Sequence, residues 1–344
     1  MCGAICREDN NFQRKGAEPQ RNQNYLCLIL FCVLASLRLC VENLFMKILV
    51  TGASGLVGGE LVPTLKAKGH EVYKLSRKTA KNADDIQWDA EKGFSETEQT
   101  KLENFDAVIH LAGDNVGEGS WTEEKKRNIR DSRVVGTRTL VDALKSTSNP
   151  PKIFISASAI GFYGTRGDEV LTEESKQGKG FLTDVCVAWE AESNKAKDFG
   201  ARVVLPRIGI VLAKDGGALK EMLTPFKFGV GGTIGSGEQF MSWIVIDDLI
   251  RLIHFALENE NLNGAINAVA PNPVTNEKFT KTLGKVLNRP TIIPIPAFGI
   301  KLLFGEKGES LLLEGARVLP QRMENAGFEF RFPDLEDAMK KILS

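Results

Sequence analysis

The chain has 344 residues, of which 42% are hydrophobic and 26% charged, and its 44 basic residues balance its 44 acidic residues. A balanced charge creates no field that would attract nucleic acid or an anionic membrane, and the composition is ordinary for a globular protein. We therefore expect a small-molecule ligand, neither nucleic acid nor a membrane as partner, and enough core for one large or two smaller domains. These totals do not predict an oligomeric state.

Residues 1–45 differ in composition from the rest of the chain. A polar stretch leads into the apolar run YLCLILFCVLASL (25–37), which is shorter than a comfortable membrane span and is followed by no A-x-A cleavage site. Three interpretations stay open: a targeting segment, a membrane anchor, or upstream sequence translated from too early a start. We favour the last, because MKILVTGASG from Met46 resembles the start of many dinucleotide-binding proteins. In each case this extension lies outside the domain.

Cysteine is unevenly distributed along the chain. Cys186 is the single cysteine after residue 45, while the other five lie before it. A domain with one cysteine cannot form an internal disulfide, which indicates a reducing compartment. We expect the cytoplasm, with organelle targeting or anchoring by the first 45 residues left open.

From residue 47, short apolar runs alternate with helical stretches. The pattern predicts helices near 55–69, 121–146 and 180–199. Strands are predicted at KILVTG (47–52), EVYKLSR (71–77), IQW (86–88), DAVIHLAG (106–113), PKIFISAS (151–158) and ARVVLPRIGIVL (201–212). Such alternation predicts an α/β protein with a Rossmann-type doubly wound parallel sheet, here over residues 46–212.

The regularity loosens over residues 213–344. A glycine-rich loop (229–243) leads into a short strand, an amphipathic helix is predicted at 246–259, and 290–320 looks like a strand that turns into a helical segment. These pieces are too few for a separate large core. We expect them to supply substrate-side elements and a smaller C-terminal lobe over the carboxyl edge of the sheet, where ligands bind in this architecture.

The stretch TGASGLVG places three glycines, Gly52, Gly55 and Gly58, between the first strand and the first helix. Glycines at this spacing permit a tight turn, close approach of a pyrophosphate and close packing of helix on strand. The N-terminus of the helix then offers unpaired N–H groups and the positive end of its dipole to the phosphate. The sequence therefore predicts a dinucleotide site.

The end of the second strand indicates which dinucleotide binds. NAD-preferring sites usually carry a carboxylate here for the ribose 2′-hydroxyl, whereas this chain has Ser76 and Arg77. An arginine can hold a 2′-phosphate through charge-assisted hydrogen bonds. We predict NADP(H) rather than NAD(H). His110, at the end of the fourth strand, is expected to be a packed strand residue rather than a catalyst.

The motifs TGASGLVG, HLAG, ISASAIGFYG and RIGIVL occur in this order, as in extended short-chain dehydrogenases/reductases of the sugar-nucleotide epimerase/dehydratase group. The chain resembles more closely an atypical branch called "epimerase family protein", sometimes labelled cell-division inhibitor. That likeness rests on WTEEKKRNIRDSRVVGT, CVAWEAE, GGTIGSGEQFMSWIVIDDL and a tail, about 290–338, similar to the family's C-terminal domain of unknown function. It covers residues 47–343.

The resemblance implies further cofactor contacts. They would come from the glycine loop, the ends of the second, fourth and sixth strands, and the helix after the fourth strand. They are Gly52, Gly55, Leu56, Val57, Gly58, Ser76, Arg77, Leu111, Ala112, Asn128, Arg133 and Ile210. Arg133 lies near the place where ordinary members carry an asparagine, and a surface arginine is the alternative interpretation.

The catalytic residues of ordinary members are incomplete in this chain. Those members use Ser or Thr together with Tyr-x-x-x-Lys on one helix, where the tyrosine exchanges a proton with the substrate oxygen. Ser156 and Ser158 can supply the hydroxyl, but the corresponding helix carries Cys186-x-x-x-Glu190 instead. A neighbouring carboxylate raises a thiol pKa, so we expect a packed cysteine and no activated nucleophile. Glu190 could act as acid or base if desolvated, or bond to the backbone.

Other side chains are candidates for the same cleft. Tyr163, in the FYG turn, is the tyrosine left in reach and completes a tentative catalytic set with Ser156, Ser158 and Glu190. Further candidates to line the cleft are Arg207, Trp243, Asp247 and Asp248, although packing is the preferred interpretation for the tryptophan. No metal site is predicted.

Two functions are compatible with this sequence. The first is an NADP(H)-binding, epimerase- or oxidoreductase-like protein that transfers hydride on a carbonyl or nucleotide-sugar-type substrate. The alternative is a non-catalytic NADP(H)-binding regulatory or sensor protein.

Overall fold

The computed structural model describes residues 45–77 and 82–344, so the interpretations of the N-terminal extension concern residues outside this part. Its strands are β1 (Lys47–Thr51), β2 (Glu71–Ser76), β3 (Asp85–Gln87), β4 (Ala107–His110), β5 (Ile153–Ser156), β6 (Ser158–Ala159), β7 (Val170–Leu171), β8 (Arg202–Ile208), β9 (Ile210–Leu212), β10 (Phe240–Met241), β11 (Trp243–Val245), β12 (Gly264–Ala268), β13 (Val274–Thr275) and β14 (Arg317–Val318). Its α-helices are α1 (Leu56–Ala67), α2 (Glu96–Gln99), α3 (Glu123–Lys145), α4 (Phe181–Asn194), α5 (Gly217–Lys227), α6 (Ile246–Glu258), α7 (Asn276–Leu287), α8 (Ala297–Gly308), α9 (Gln321–Asn325) and α10 (Leu335–Leu343). In the described part, no helix combines the length and the apolar character that crossing a bilayer requires.

The central sheet is parallel and doubly wound, as the alternation predicts. Its strand order is β12-β8-β5-β4-β1-β2-β3, and β6 also pairs with β8. β1 pairs in parallel with β2 on one side and with β4 on the other, so the chain changes direction between β1 and β4. In such sheets this change of direction opens a crevice at the carboxyl edge, where ligands bind.

Successive side chains of β1 point to opposite faces of the sheet and pack in two different cores. Ile48 and Val50 are buried against one layer, which contains Leu61 of α1 and Ile253 of α6. Leu49 points to the other face and belongs to the core formed with α3 and the neighbouring strands. This two-residue period is what places one strand in two cores.

The domain boundary predicted at residue 212 does not fully separate the central sheet from the C-terminal lobe. β12, which the sequence analysis missed, joins the edge of the central sheet, and α6 packs on the same sheet. Part of the segment 213–344 therefore completes the nucleotide-binding fold. The rest forms a smaller lobe, whose core is built by side chains of α5, α7, α10, β10 and β11.

Two predicted strands need correction. The run 201–212 is divided at Gly209, because β8 lies in the central sheet whereas β9 pairs with β11 in the lobe. A Cβ on Gly209 would overlap the carbonyl oxygen of Ser242, so the crossing of these segments requires glycine. The strand expected after residue 290 is absent in this part of the structure, apart from a single bridge between Ile295 and Ile234. Proline lacks the N–H that a ladder needs, and the segment is rich in proline.

Candidate functional site

The crevice begins at the junction of β1 and β4. Gly52 has a φ of +68°, and a Cβ there would lie 2.8 Å from the backbone carbon of Leu111. The Thr51 hydroxyl oxygen accepts hydrogen bonds from the backbone N–H groups of Leu111 and Ala112, both at 3.0 Å. The two strand ends are thus fixed to each other, and no larger residue fits at Gly52.

His110 is part of this junction and is buried. Its Nδ1 lies 2.7 Å from the Thr51 hydroxyl, and its Nε2 lies 2.9 Å from the hydroxyl of Thr137 on α3. Because the Thr51 oxygen already accepts two hydrogen bonds, its own proton is donated to Nδ1, which assigns the ring proton to Nε2. Burial, with a smaller contribution from the charge of Arg133, lowers the His110 pKa from 6.5 to about 3. His110 is a neutral structural residue, as predicted.

The glycine loop leaves the N-terminus of α1 open. A Cβ on Gly58 would overlap the carbonyl oxygen of Gly52, so the helix can pack on the loop only with glycine there. The exposed N-cap residue Gly55 offers no side chain to the first-turn N–H groups, and no acidic residue lies in that turn. Leu56 contacts the loop at Gly216, and Val57 packs against the sheet core, which leaves their backbone N–H groups as the available donors. This is the arrangement that binds phosphate at helix N-termini.

A cavity of about 700 Å³ lies beside the ends of β2 and β3 and the loop that follows β4. Arg77, Trp88 and Asn128 are among the residues that line it. The side chains of Arg77 and Asn128 are exposed and make no hydrogen bond or ion pair with the residues that the structure describes. Ser76, the last residue of β2, pairs with Gln87 of β3 at the edge of the cavity.

Two of the carboxylates that line this cavity are engaged by other groups. Asp114 forms an ion pair with Lys125 at 2.7 Å. Asp89 accepts hydrogen bonds from the backbone N–H groups of Lys92 and Glu91, which lower its pKa. Arg77 and Lys92 are the cationic side chains that line this cavity, and the exposed guanidinium of Arg77, directly after β2, can bind an anionic ligand.

Arg133 is not a surface arginine. Its guanidinium lies against Gly113, where a Cβ would come within 2.9 Å of the central guanidinium carbon. It donates to the carbonyl oxygens of Asp114 and Ile129, both at 3.0 Å, and lies 5.2 Å over the ring of Trp189. Burial lowers its pKa. The structure thus places this side chain as a support for the loop that follows β4.

Most of the catalytic candidates form one buried hydrogen-bonded network. Ser158 donates to Glu190 Oε1 at 2.7 Å, and Arg207 binds the same carboxylate through two nitrogens at 2.8 and 2.9 Å. Arg207 also donates to the Tyr163 hydroxyl at 3.0 Å, and that hydroxyl donates to Asn267 Oδ1 at 2.7 Å. The five residues are between 0% and 8% exposed. We call them the Glu190–Arg207 network.

The network fixes the protonation of Tyr163. Burial raises the pKa of this tyrosine, and the neighbouring Arg207 offsets part of the effect. The Tyr-x-x-x-Lys arrangement lowers a tyrosine pKa, so the environment of Tyr163 acts in the opposite direction. Ser156 lies apart from the network, fully buried, and accepts a hydrogen bond from Ser193 at 2.8 Å.

Cys186 is packed, as predicted. It is 4% exposed, and its sulfur lies 3.7 Å from where a Cβ on Gly161 would be. Burial, followed by the charge of Glu190, raises its pKa to about 11. It carries no activated thiolate.

Asn267, which sequence reasoning missed, links the network to the C-terminal segment. Its backbone N–H donates to Glu173 Oε1 at 2.9 Å, and its side-chain amide donates to the carbonyl oxygen of Leu319 at 2.8 Å. The signal was a polar residue inside the apolar run GAINAVA. It was missed because that run was not recognised as a strand.

Three further candidates from the sequence have structural roles: Trp243 and the predicted cofactor contact Ile210 belong to the lobe, and Asp248 lies on α6. Trp243 is fully buried, and its indole N–H donates to the carbonyl oxygen of Asn272. The buried Asp248 accepts hydrogen bonds from the backbone N–H groups of Arg331 and Phe332. Ile210 is half-buried against the core of the lobe, and its N–H donates to Ser242. Trp243 is therefore a packing residue, as preferred from the sequence, and Asp248 holds the C-terminal segment against α6 through these hydrogen bonds.

Comparison with known families agrees with this geometry. The model of the NAD dependent epimerase/dehydratase family matches residues 48–268. The chain belongs to this family. A second model, a domain of unknown function (DUF1731), matches residues 295–342, close to the tail of about 290–338 that the sequence analysis singled out.

Relatives extend over most of the chain. An epimerase family protein of Mycobacterium leprae is 38% identical over 290 residues, which are 84% of this chain and 93% of that protein. The chloroplastic epimerase family protein SDR39U1 homolog of Arabidopsis thaliana is 40% identical over 305 residues, or 87% of each chain. The crystal structure of human epimerase family protein SDR39U1 (isoform 2) with NADPH superposes with a TM-score of 0.78, at 35% identity, over 86% of this chain and 99% of that one. The resemblance to epimerase family proteins is confirmed.

Proposed function

We propose that this epimerase family protein binds NADPH along the carboxyl edge of its central sheet. The open N-terminus of α1 would hold the pyrophosphate, where Gly52 and Gly58 leave room for its approach. Arg77 and Asn128 would hold the 2′-phosphate end in the adjoining cavity. The observation that carries the proposal is the exposed Arg77 guanidinium without a partner among the described residues. The NADPH-bound human relative supports it.

We further propose hydride transfer on a small carbonyl or nucleotide-sugar-type substrate, the chemistry that a nicotinamide cofactor supplies when bound. The residues of the chain would bind and orient the reactants and handle the proton. Ser158 and Tyr163 are the proposed proton carriers, and their hydroxyl hydrogens point at Glu190 and Asn267. Either transfer requires the hydroxyl to turn away from its present acceptor. Ser156 would act only as a support, since its hydroxyl is buried and bonded to Ser193.

The same network favours a second candidate function, that of a protein which holds NADPH without turnover and acts as a regulator or sensor. The Glu190 carboxylate is bound on both oxygens by Arg207, and the Tyr163 hydroxyl is fully buried. A group engaged in this way is costly to release for proton transfer.

We propose the cytoplasm as the location for either function, supported by the single cysteine after residue 45.

The two functions are separated by one experiment on the full chain. NADPH and NADH are titrated first, and the NADPH-loaded protein is then mixed with pooled carbonyl compounds while the absorbance of the reduced nicotinamide is followed. Substrate-dependent oxidation that is lost in Tyr163→Phe or Ser158→Ala supports hydride transfer. Tight binding without oxidation by any pool supports the second function. Failure to bind NADPH overturns both.

A further inference from the structure

The C-terminal lobe carries an apolar surface that no described residue covers. Its members are large hydrophobic side chains, each between 45% and 84% exposed, and we call them the apolar patch. They are Phe228, Val230, Ile292, Ile293, Phe298, Leu302, Leu303 and Phe304. Four of them lie on α8, which has a single buried residue, Ile300, in its first eleven.

The segments that carry the patch lie next to one another. The loop at Gly229 lies against Pro290, where a Cβ would come within 3.7 Å of the proline ring, and Gly232 touches the backbone of Ile293. α8 begins at Ala297, directly after this second loop. The loop that follows α5, the segment before α8, and α8 itself are therefore neighbours on the lobe.

The size of the patch exceeds what a monomer usually exposes. Eight large side chains at these exposures present roughly 1,000 Å², because a large hydrophobic side chain has about 150–200 Å² of surface. The largest apolar patch of a typical monomer is about 300–600 Å². A stable protein–protein interface needs about 800 Å² from each partner. The patch alone meets this requirement.

The face is held in a fixed position at both ends of α8. Before the helix, Ile295 exchanges backbone hydrogen bonds with Thr233 and Gly235, at 2.8 and 2.9 Å. Near its end, Glu306 forms an ion pair with Lys126 of α3. The backbone of α8 leaves the helical conformation at Gly305, just before the second of these attachments. Attachment at both ends limits the motion of the segment, which lowers the entropic cost of association.

The charges at the edge of the patch indicate the partner. Lys301 pairs with Glu309, and Glu306 pairs with Lys126, so charges of both signs lie on this edge. Lys307, also on α8, donates to the carbonyl oxygens of Gly117 and Gly119. A helix that binds membranes presents a polar face rich in lysine and arginine, which α8 lacks. An apolar centre with aromatic side chains and a rim of both charges suits a second copy of the same surface.

We propose that the apolar patch is a two-fold symmetric interface between two copies of this chain. This proposal is independent of the proposed function, because it uses none of the residues assigned to NADPH. Two-fold symmetry places each patch residue in the interface twice, so one charge introduced at the centre acts in both copies.

The test is sedimentation velocity of the full chain over a wide concentration range. We expect a dimer, and we expect Leu302→Asp to weaken the dimer at least about a hundredfold while thermal unfolding is unchanged, since Leu302 is 81% exposed. Val170→Asp, an exposed hydrophobic residue of β7 outside the patch, is the control and should leave the dimer intact. A wild-type chain that is monomeric at all concentrations overturns the proposal, and so does a dimer that survives Leu302→Asp. Flotation of the wild-type monomer with phosphatidylcholine vesicles that is lost in Leu302→Asp would overturn the proposal and assign the patch to a lipid surface instead.

Discussion

Glu190 of α4 and Arg207 of β8 form a buried ion pair with two hydrogen bonds, Nε–Oε1 at 2.8 Å and Nη2–Oε2 at 2.9 Å. The glutamate lies four residues after Cys186 on the same helix. A pair in this geometry fixes helix to sheet, because each charge is satisfied by the other inside the protein.

The first prediction concerns this pair. Glu190→Gln leaves the Arg207 charge buried without its counter-ion, and we expect a loss of about 3–5 kcal/mol in the free energy of unfolding. Denaturant unfolding measures the loss. Glu277→Gln is the control: it removes an exposed pair with Lys281, for which we expect about 0.5 kcal/mol or less. Equal losses in the two variants would show that the network contributes little to stability.

The second prediction uses two adjacent glycines of α1. Gly58→Ala places a Cβ on the carbonyl oxygen of Gly52 and should displace the loop, with a loss of NADPH affinity and of stability. In Gly59→Ala the new Cβ meets nothing within 4 Å, so we expect a gain of about 0.5–1 kcal/mol from helix propensity and unchanged NADPH affinity. Thermal unfolding and NADPH titration of both variants test this. Similar behaviour of the two would contradict the packing role of Gly58.

The third prediction concerns the Cys186 thiol, whose pKa is raised by burial from an ordinary value of 9.0 to about 11 in the folded protein. The folded state keeps the proton to higher pH than the unfolded chain does. The stability contributed by the buried neutral thiol is therefore complete below pH 9 and is lost as the pH rises from 9 to 11. We expect the free energy of unfolding of Cys186→Ala to lack this part of the decline between pH 9 and pH 11.

Alkylation of Cys186 at pH 8, followed by peptide mass spectrometry, should be slow until denaturant is added. Rapid alkylation of the native protein would contradict the burial of the thiol.

The fourth prediction concerns His110, whose pKa is lowered from 6.5 to about 3. A lowered pKa means that the neutral ring stabilises the folded state fully above pH 6.5, and that this contribution is lost as the pH falls toward 3. The chain has three histidines, so their NMR signals can be followed separately and assigned with a His110→Gln variant. We expect the His110 signal to keep its neutral shift for as long as the protein stays folded. Titration near pH 6.5 would show that the ring reaches solvent.

The central sheet and the glycine loop were predictable from sequence because local pattern determines them. Buried parallel strands leave continuous apolar runs, as in KILVTG, and a left-handed glycine at a strand end leaves a fixed spacing, as at Gly52. β12 was not predicted because GAINAVA is short, follows an irregular stretch and contains a polar residue in its centre. That residue, Asn267, is explained only by its three-dimensional partners Tyr163 and Leu319.

The network around Glu190 was less predictable for the same reason. The sequence shows that Cys186 and Glu190 share a helix face, and the packing of the cysteine follows from that position. It does not show that Arg207, 17 residues later and on a different element, reaches the same carboxylate. Long-range pairs of this kind depend on the register of helix against sheet, which no local pattern encodes.

NADPH binding through Arg77 is the central feature of the proposed function, and titration of the full chain with NADPH and NADH tests it most directly. For Arg77→Ala we expect NADPH affinity to fall roughly ten- to hundredfold, the value of one or two charge-assisted hydrogen bonds, and NADH affinity to stay unchanged. Arg127→Ala, an exposed arginine that does not line the cavity, should behave as the wild type. A wild-type protein that binds NADH as tightly as NADPH, or an Arg77→Ala variant with unchanged NADPH affinity, would contradict the account.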